Sequence, residues 1–272
     1  MRSILRLTHT KLEGRYVVHE LRFPHDPKDG DYTALPPHRC ELPGKNLQQE
    51  PGSGPIGKSI WPDIYADDLI SVSAAPIEHS VSCVGYVVLE SPIPLKMDPS
   101  QYLPHIKRNN APFSYLSRLQ KGEDITLADG TLLRGISKRP GRKIVILGDT
   151  YDPSPITPIA IGADLLVHEA TNAYLPDIDP MTKDDETEEI VEDRTRKRGH
   201  STPQMAGRFA RSIGARKLAL NHFSARYRGD DDVNSEAKVV MNGIKQLAEK
   251  TFGGEVVCAR DFMTLHVQHA QR

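Results

Sequence analysis

Lys143-Ile144-Val145-Ile146-Leu147 is a nearly continuous apolar run, and it constrains the chain more than any other segment. A strand apolar on both faces must be covered on both faces, which predicts a buried strand of an α/β sheet. The residues downstream of it alternate between strand and helix. Asp164–Val167 predicts a strand, and Thr202–Ile213 a helix with Thr202-Pro203 as N-cap and first position. Lys217–Leu220 predicts a strand and Ser235–Lys250 a helix, with Ala237, Val240, Ile244 and Leu247 near helical spacing. Glu255–Cys258 and Phe262–Val267 predict two closing strands. Upstream, Tyr16–Leu21, Leu69–Ala74 and Val81–Leu89 predict strands. Ile125–Leu127 and Thr131–Leu133 flank Asp129-Gly130, a hairpin signal.

Two stretches interrupt this texture. Residues 24–64 carry prolines at 24, 27, 36, 37, 43, 51, 55 and 62, which predicts a long surface insertion pinned at its end by Trp61. Residues 91–123 carry five more prolines around Lys107-Arg108, which predicts a protruding arm. Both lie within one domain spanning 1–272. The charge-split stretch 182–198 reads as a solvated loop. Its Arg194–Arg198 cluster has a nuclear signal or an RNA contact as alternatives. Lys+Arg number 35 against 36 Asp+Glu, so a nucleic-acid partner must be held by local patches. Three scattered cysteines exclude a disulfide framework and fit a reducing compartment. No apolar run spans a bilayer and the N-terminus has no signal core, so the expectation is an intracellular chain with no membrane partner.

Four polar clusters end successive strands or open a helix. They are Gly148-Asp149-Thr150, His168-Glu169-Ala170-Thr171, Gly199-His200-Ser201-Thr202 and His222-Phe223-Ser224-Ala225-Arg226-Tyr227. Open α/β sheets build sites at such carboxyl ends. Imidazole and carboxylate brought to one rim suit zinc. Taken singly, each cluster reads equally well as a turn or cap, and His168 as a packed core histidine.

Taken together and in order, the clusters resemble the tRNA 3′-processing endoribonucleases, the ribonuclease Z family of the metallo-β-lactamase superfamily. Ala75-Pro76-Ile77-Glu78-His79-Ser80, followed by Gly85-Tyr86, and Lys121–Gly130 extend the likeness over roughly residues 69–267. The resemblance implies an αββα sandwich, here its C-terminal two-thirds. It also implies two zinc ions bridged by Asp149, with His79 on one and His222 on the other. His200, oriented by Glu169, would assist departure of the leaving oxygen. Lys107 and Arg108 of the arm, with Ser224, Arg226 and Tyr227, would contact RNA, although an internal salt bridge is the alternative for Arg226. The implied substrate is precursor tRNA, cut to leave a 3′-hydroxyl. The implied assembly is a homodimer and the implied compartment the cytoplasm or nucleus.

One departure stands against that reading. The family's His-x-His-x-Asp-His motif has no counterpart among His9, His19, His25 and His38. The expectation is a chain lacking about 100 N-terminal residues and an incomplete ligand set. The competing expectation is therefore a catalytically inactive homologue that keeps RNA or partner binding. A small-molecule phosphodiesterase is a third, disfavoured by the arm.

Overall fold

The computed structural model describes residues 2–9, 12–27, 29–30, 35–51 and 59–269. Seven of its strands form one mixed sheet: β1 (Trp61–Ala66), β2 (Ile70–Ile77), β3 (Cys83–Glu90), β4 (Lys143–Leu147), β5 (Leu165–Glu169), β6 (Lys217–Asn221) and β7 (Glu255–Cys258). Their spatial order repeats their order in the chain. From β1 to β4 neighbours are antiparallel, and from β4 to β7 they are parallel. Three helices serve the parallel half: α1 (Glu188–Lys197), α2 (Pro203–Ser212) and α3 (Ser235–Phe252).

Alternation decides which face is covered. Val145 and Leu147 of β4, Leu166 of β5 and Leu218 and Leu220 of β6 are buried in one core with Ala206, Phe209, Ile244 and Ala248 of α2 and α3. The opposite face is open, against the expectation of a strand covered on both sides: Ile146 pairs across the ladder with Tyr86, and both side chains are exposed. The helix ends follow their sequence signals. Thr202 caps α2 and Asn234 caps α3, while Gly253 closes α3 in the left-handed conformation. No helix among the described residues is long and apolar enough to cross a membrane.

Three segments depart from expectation. Residues 188–197 are helical rather than looped. Thr187 caps the helix, its acidic residues fill the first turn and its basic residues the last, which suits the helix dipole. Glu192–Arg196 and Asp193–Lys197 add pairs one turn apart. Residues 262–269 form no strand, because Arg142 and Arg216 take the carbonyls of Val267 and Gln268. Tyr16–Leu21 splits into Tyr16–Val17 and Glu20–Arg22, which pair in parallel with Glu41–Leu42 and Asn46–Gln48. The proline-rich stretch thus contributes paired strands. Its residues 28, 31–34 and 52–58 lie outside the described residues. Trp61 is buried at its end, donating to the Leu47 carbonyl at 3.0 Å and meeting Phe23 edge-on.

The arm is a folded unit running on to residue 139. Ile93–Pro94 pairs with Lys138–Arg139 as its neck. Helices Leu103–Arg108 and Ser114–Gln120 and the Ile125–Thr126/Leu132–Leu133 hairpin enclose a core of Ile106, Leu119, Ile125, Leu127 and Leu133. Arg108 and Asn109 hold the hairpin turn through Asp129. Because this core is separate from that of the sheet, Leu119→Ala should unfold the arm alone, at a local cost of about 2–5 kcal/mol. Hydrogen exchange should then lose protection at residues 97–136 and keep it in β4 to β6. Loss spread evenly over both regions would refute separate cores.

Candidate metal centre and acid–base pair

The site residues sit at one rim of the sheet, Glu169 at the end of β5 and the others on the adjoining loops, and these segments are tied to one another. Thr150 donates its hydroxyl to the Glu78 carbonyl at 2.8 Å, joining the turn after β2 to the loop after β4. Ser201 donates its hydroxyl to the Thr150 carbonyl at 2.6 Å. The Thr171 N–H bonds the Ser201 carbonyl, and the Ala170 N–H the Asn221 carbonyl. The hydroxyl residues beside the acids and histidines are therefore the stitching of the rim.

Glu169 lies at its centre, with a side chain only 1% exposed. One carboxylate oxygen accepts from the Thr150 N–H and from His200 Nδ1, both at 3.0 Å. The other accepts from the Thr171 N–H at 3.2 Å and the Thr171 hydroxyl at 2.6 Å. A carboxylate offers about four acceptor sites, and all four are used. Glu169 is thus purely an acceptor, which puts a proton on Nδ1 of His200 and leaves Nε2 for the rim.

His79, His200 and His222 stand in a row. His79 meets His200 edge-on with centroids 5.3 Å apart, and His200 stacks on His222 at 5.3 Å. His222 Nε2 is 3.3 Å from Asp149 Oδ2. A left-handed backbone at His222, with φ of 53°, turns the chain sharply at the end of β6. Gly199 is required on two counts. Its φ is +91°, and a Cβ there would stand 2.9 Å from the His79 ring.

One donor atom each from His79, Asp149 and His200 lies within 4.8 Å of the others. Nε2 of His79 is buried with no hydrogen-bond partner among the described residues, while its Nδ1 accepts from the Val81 N–H at 3.2 Å. An orphaned imidazole nitrogen beside a carboxylate and a second imidazole fits one metal ion. Three donors with His222 behind them do not fit two, because each zinc needs at least three protein ligands. The tight group holds His200, whereas the family resemblance gives that place to His222.

The remaining expected residues divide. Lys107 and Arg108 are exposed on the arm. Ser224 is half-buried, its N–H on the Thr171 carbonyl. Arg226 pairs with Asp179 at 3.4 Å and donates to the Ala173 carbonyl and the Tyr227 hydroxyl, so the internal ion pair describes it rather than a phosphate grip. Tyr227 is buried, its hydroxyl on the Ala173 backbone. His168 is a core histidine edge-on to Phe209, and burial holds its pKa below the usual value. Sequence reasoning missed the contact of Gly199 with His79, for which a glycine directly before a histidine was the available signal.

No family model matches the chain. Ribonuclease BN of Cronobacter sakazakii is 33% identical over 170 residues, 61% of this chain and 50% of that protein. Ribonuclease Z of Streptococcus sanguinis is 35% identical over 173 residues, 62% of this chain and 50% of that protein. The chain thus spans about half the length of the curated relatives it matches. In fold it is similar to human tRNase Z, short form, with a TM-score of 0.50 and 24% identity over 98% of this chain and 63% of that one.

Proposed function

We propose that this chain, similar in sequence to ribonuclease Z of Streptococcus sanguinis and in fold to human tRNase Z, short form, is a ribonuclease Z-type member of the metallo-β-lactamase superfamily and acts in tRNA 3′-end maturation. The reaction is hydrolysis of the phosphodiester between the tRNA body and its 3′ trailer, leaving a 3′-hydroxyl on the tRNA. The observation that carries this reading is the His79–Asp149–His200 group backed by Glu169. A zinc ion held by His79, Asp149 and His222 would supply Lewis-acid charge and an activated water at neutral pH. Asp149 supplies the anionic charge of the donor set. Glu169 holds His200 through Nδ1, which orients Nε2 to hand a proton to the departing alkoxide. Nε2 cannot ligate and donate at once, so His200 serves the proton and His222 takes the ligand place. Lys107 and Arg108 on the arm, with Ser224 at the rim, are assigned to the RNA backbone. The reading also carries a homodimer and residence in the cytoplasm or nucleus, where precursor tRNA is found.

The three-donor set favours a second reading. In it the chain binds precursor tRNA or a partner through the arm and performs no hydrolysis. The deciding assay gives the purified chain a precursor tRNA with a 3′ trailer, with added zinc or with chelator. Zinc-dependent release of the trailer, with about one zinc bound per chain, is the expected result. A folded chain that binds the RNA and leaves it whole would overturn hydrolysis in favour of the second reading.

A further inference from the structure

The face of the main sheet turned away from α2 and α3 is apolar, and its middle has no cover among the described residues. One cross-strand row runs through Val72, Val88 and Ile144. The next runs through Ala74, Tyr86, Ile146 and Val167. Neither row holds a charged residue. The second row is covered by this chain at its two ends. Trp61, the cross-strand partner of Ala74, is buried with Phe23 edge-on to it. Val257, at the far end, shares a cavity with Leu265 and Val267 of the C-terminal segment. Between these covers Tyr86 and Ile146 are 37% and 42% exposed, and Val72, Val88, Ile144 and Val167 are half-buried. Apolar rows left in water are closed by a second sheet packed about 10 Å above the first.

Two features point to another copy of this chain as that second layer. A twofold axis brings like side chains together, so a charged face repels its own copy and an uncharged one does not. The net charge of −1 adds almost no long-range repulsion between copies. The size also suits a pair. At a strand spacing of about 4.8 Å and a rise of about 3.3 Å per residue, the face of β2 to β5 covers about 400 Å² in projection. Two copies remove twice that, and side-chain relief brings the accessible area to about the 1,000 Å² that a small specific interface needs.

We propose that two copies of the chain pack face to face through β2 to β5, with Tyr86 and Ile146 at the centre of the contact. The inference gives the homodimer of the proposed reading its interface, and it rests on that part of the reading alone.

Sedimentation velocity of the full chain at tens of micromolar should show a species of twice the 30.3 kDa of one chain. Ile146→Asp sets an unpaired carboxylate on each side of the contact and should weaken the pair at least about a hundredfold. Val239→Asp puts the same charge at an exposed position of α3, which packs on the opposite face, and should leave the pair whole. Nitration of Tyr86 in the parent needs no variant and decides the matter if Ile146→Asp fails to fold. It should proceed in dilute chain and fall at least about tenfold in concentrated chain, as burial at the centre of an interface requires. A dimer that survives Ile146→Asp in a folded chain, or Tyr86 labelled equally at both concentrations, overturns this face and leaves the homodimer to be made elsewhere. A monomeric parent overturns the face and the homodimer together. An open-ended assembly overturns the face as well, because a twofold contact closes at two copies. None of these results bears on hydrolysis, which the trailer assay decides.

Discussion

Asp149→Ala is expected to lower zinc-dependent trailer cleavage by at least about a thousandfold. The carboxylate is the only anion in the tight donor group, which leaves two imidazoles when it is removed. A metal's contribution to a phosphoryl transition state is several kcal/mol, and each 1.36 kcal/mol is tenfold in rate. Two further readouts separate this from unfolding. The Asp149 side chain is 39% exposed, so melting should move little. Affinity for tRNA should stay within about twofold, because phosphate contacts elsewhere supply most of it. Equilibrium dialysis should show the lost zinc directly. Unchanged cleavage by the variant would remove Asp149 from the site.

Glu169→Ala should destabilise the whole chain by about 3–5 kcal/mol, a large part of the stability of a typical domain. The substitution strands three donors at once, the N–H groups of Thr150 and Thr171 and the His200 ring, while the Thr171 hydroxyl keeps the His222 carbonyl at 3.1 Å. Two of these are backbone groups that cannot rotate away to water. Glu169→Gln should rescue little, since either placement of its amide turns NH₂ toward an existing donor. Urea melts of the two variants beside the parent chain measure this. A loss below about 1 kcal/mol in both would mean that Glu169 does not organise the rim.

Much of the sheet was legible because its signals are local. The apolar run at 143–147, the Asp129-Gly130 turn and the Thr202-Pro203 helix start each state their own conformation, and each is found in place. The helix at 188–197 lacks the apolar stripe that marks most helices, so its capping threonine and graded charge went unread. At 262–267 the alternation was real, but strand pairing needs a free neighbour, and two distant arginines hold that backbone instead. In the site, residue types and order pointed to the right rim. The pairing of His200 with Glu169 came only from family resemblance. The tautomer of His200 and the internal role of Arg226 depend on which atoms face which across about 30–50 residues of chain, and no local pattern carries that.

A sheet whose strands stand in chain order has a consequence for how it forms. Each new strand needs only the one before it, so the sheet can grow by accretion as the polypeptide leaves the ribosome, without waiting for a distant segment. The site is recruited on the same timetable. His79 is available once the first hairpin closes, Asp149 with the fourth strand and Glu169 with the fifth. Gly199 and His200 arrive only with the long crossover, and His222 with the sixth strand. Until that crossover docks, the buried nitrogen of His79 has neither its glycine wall nor its neighbouring imidazole. A nascent chain arrested before residue 199 would thus hold most of its sheet and none of its chemistry.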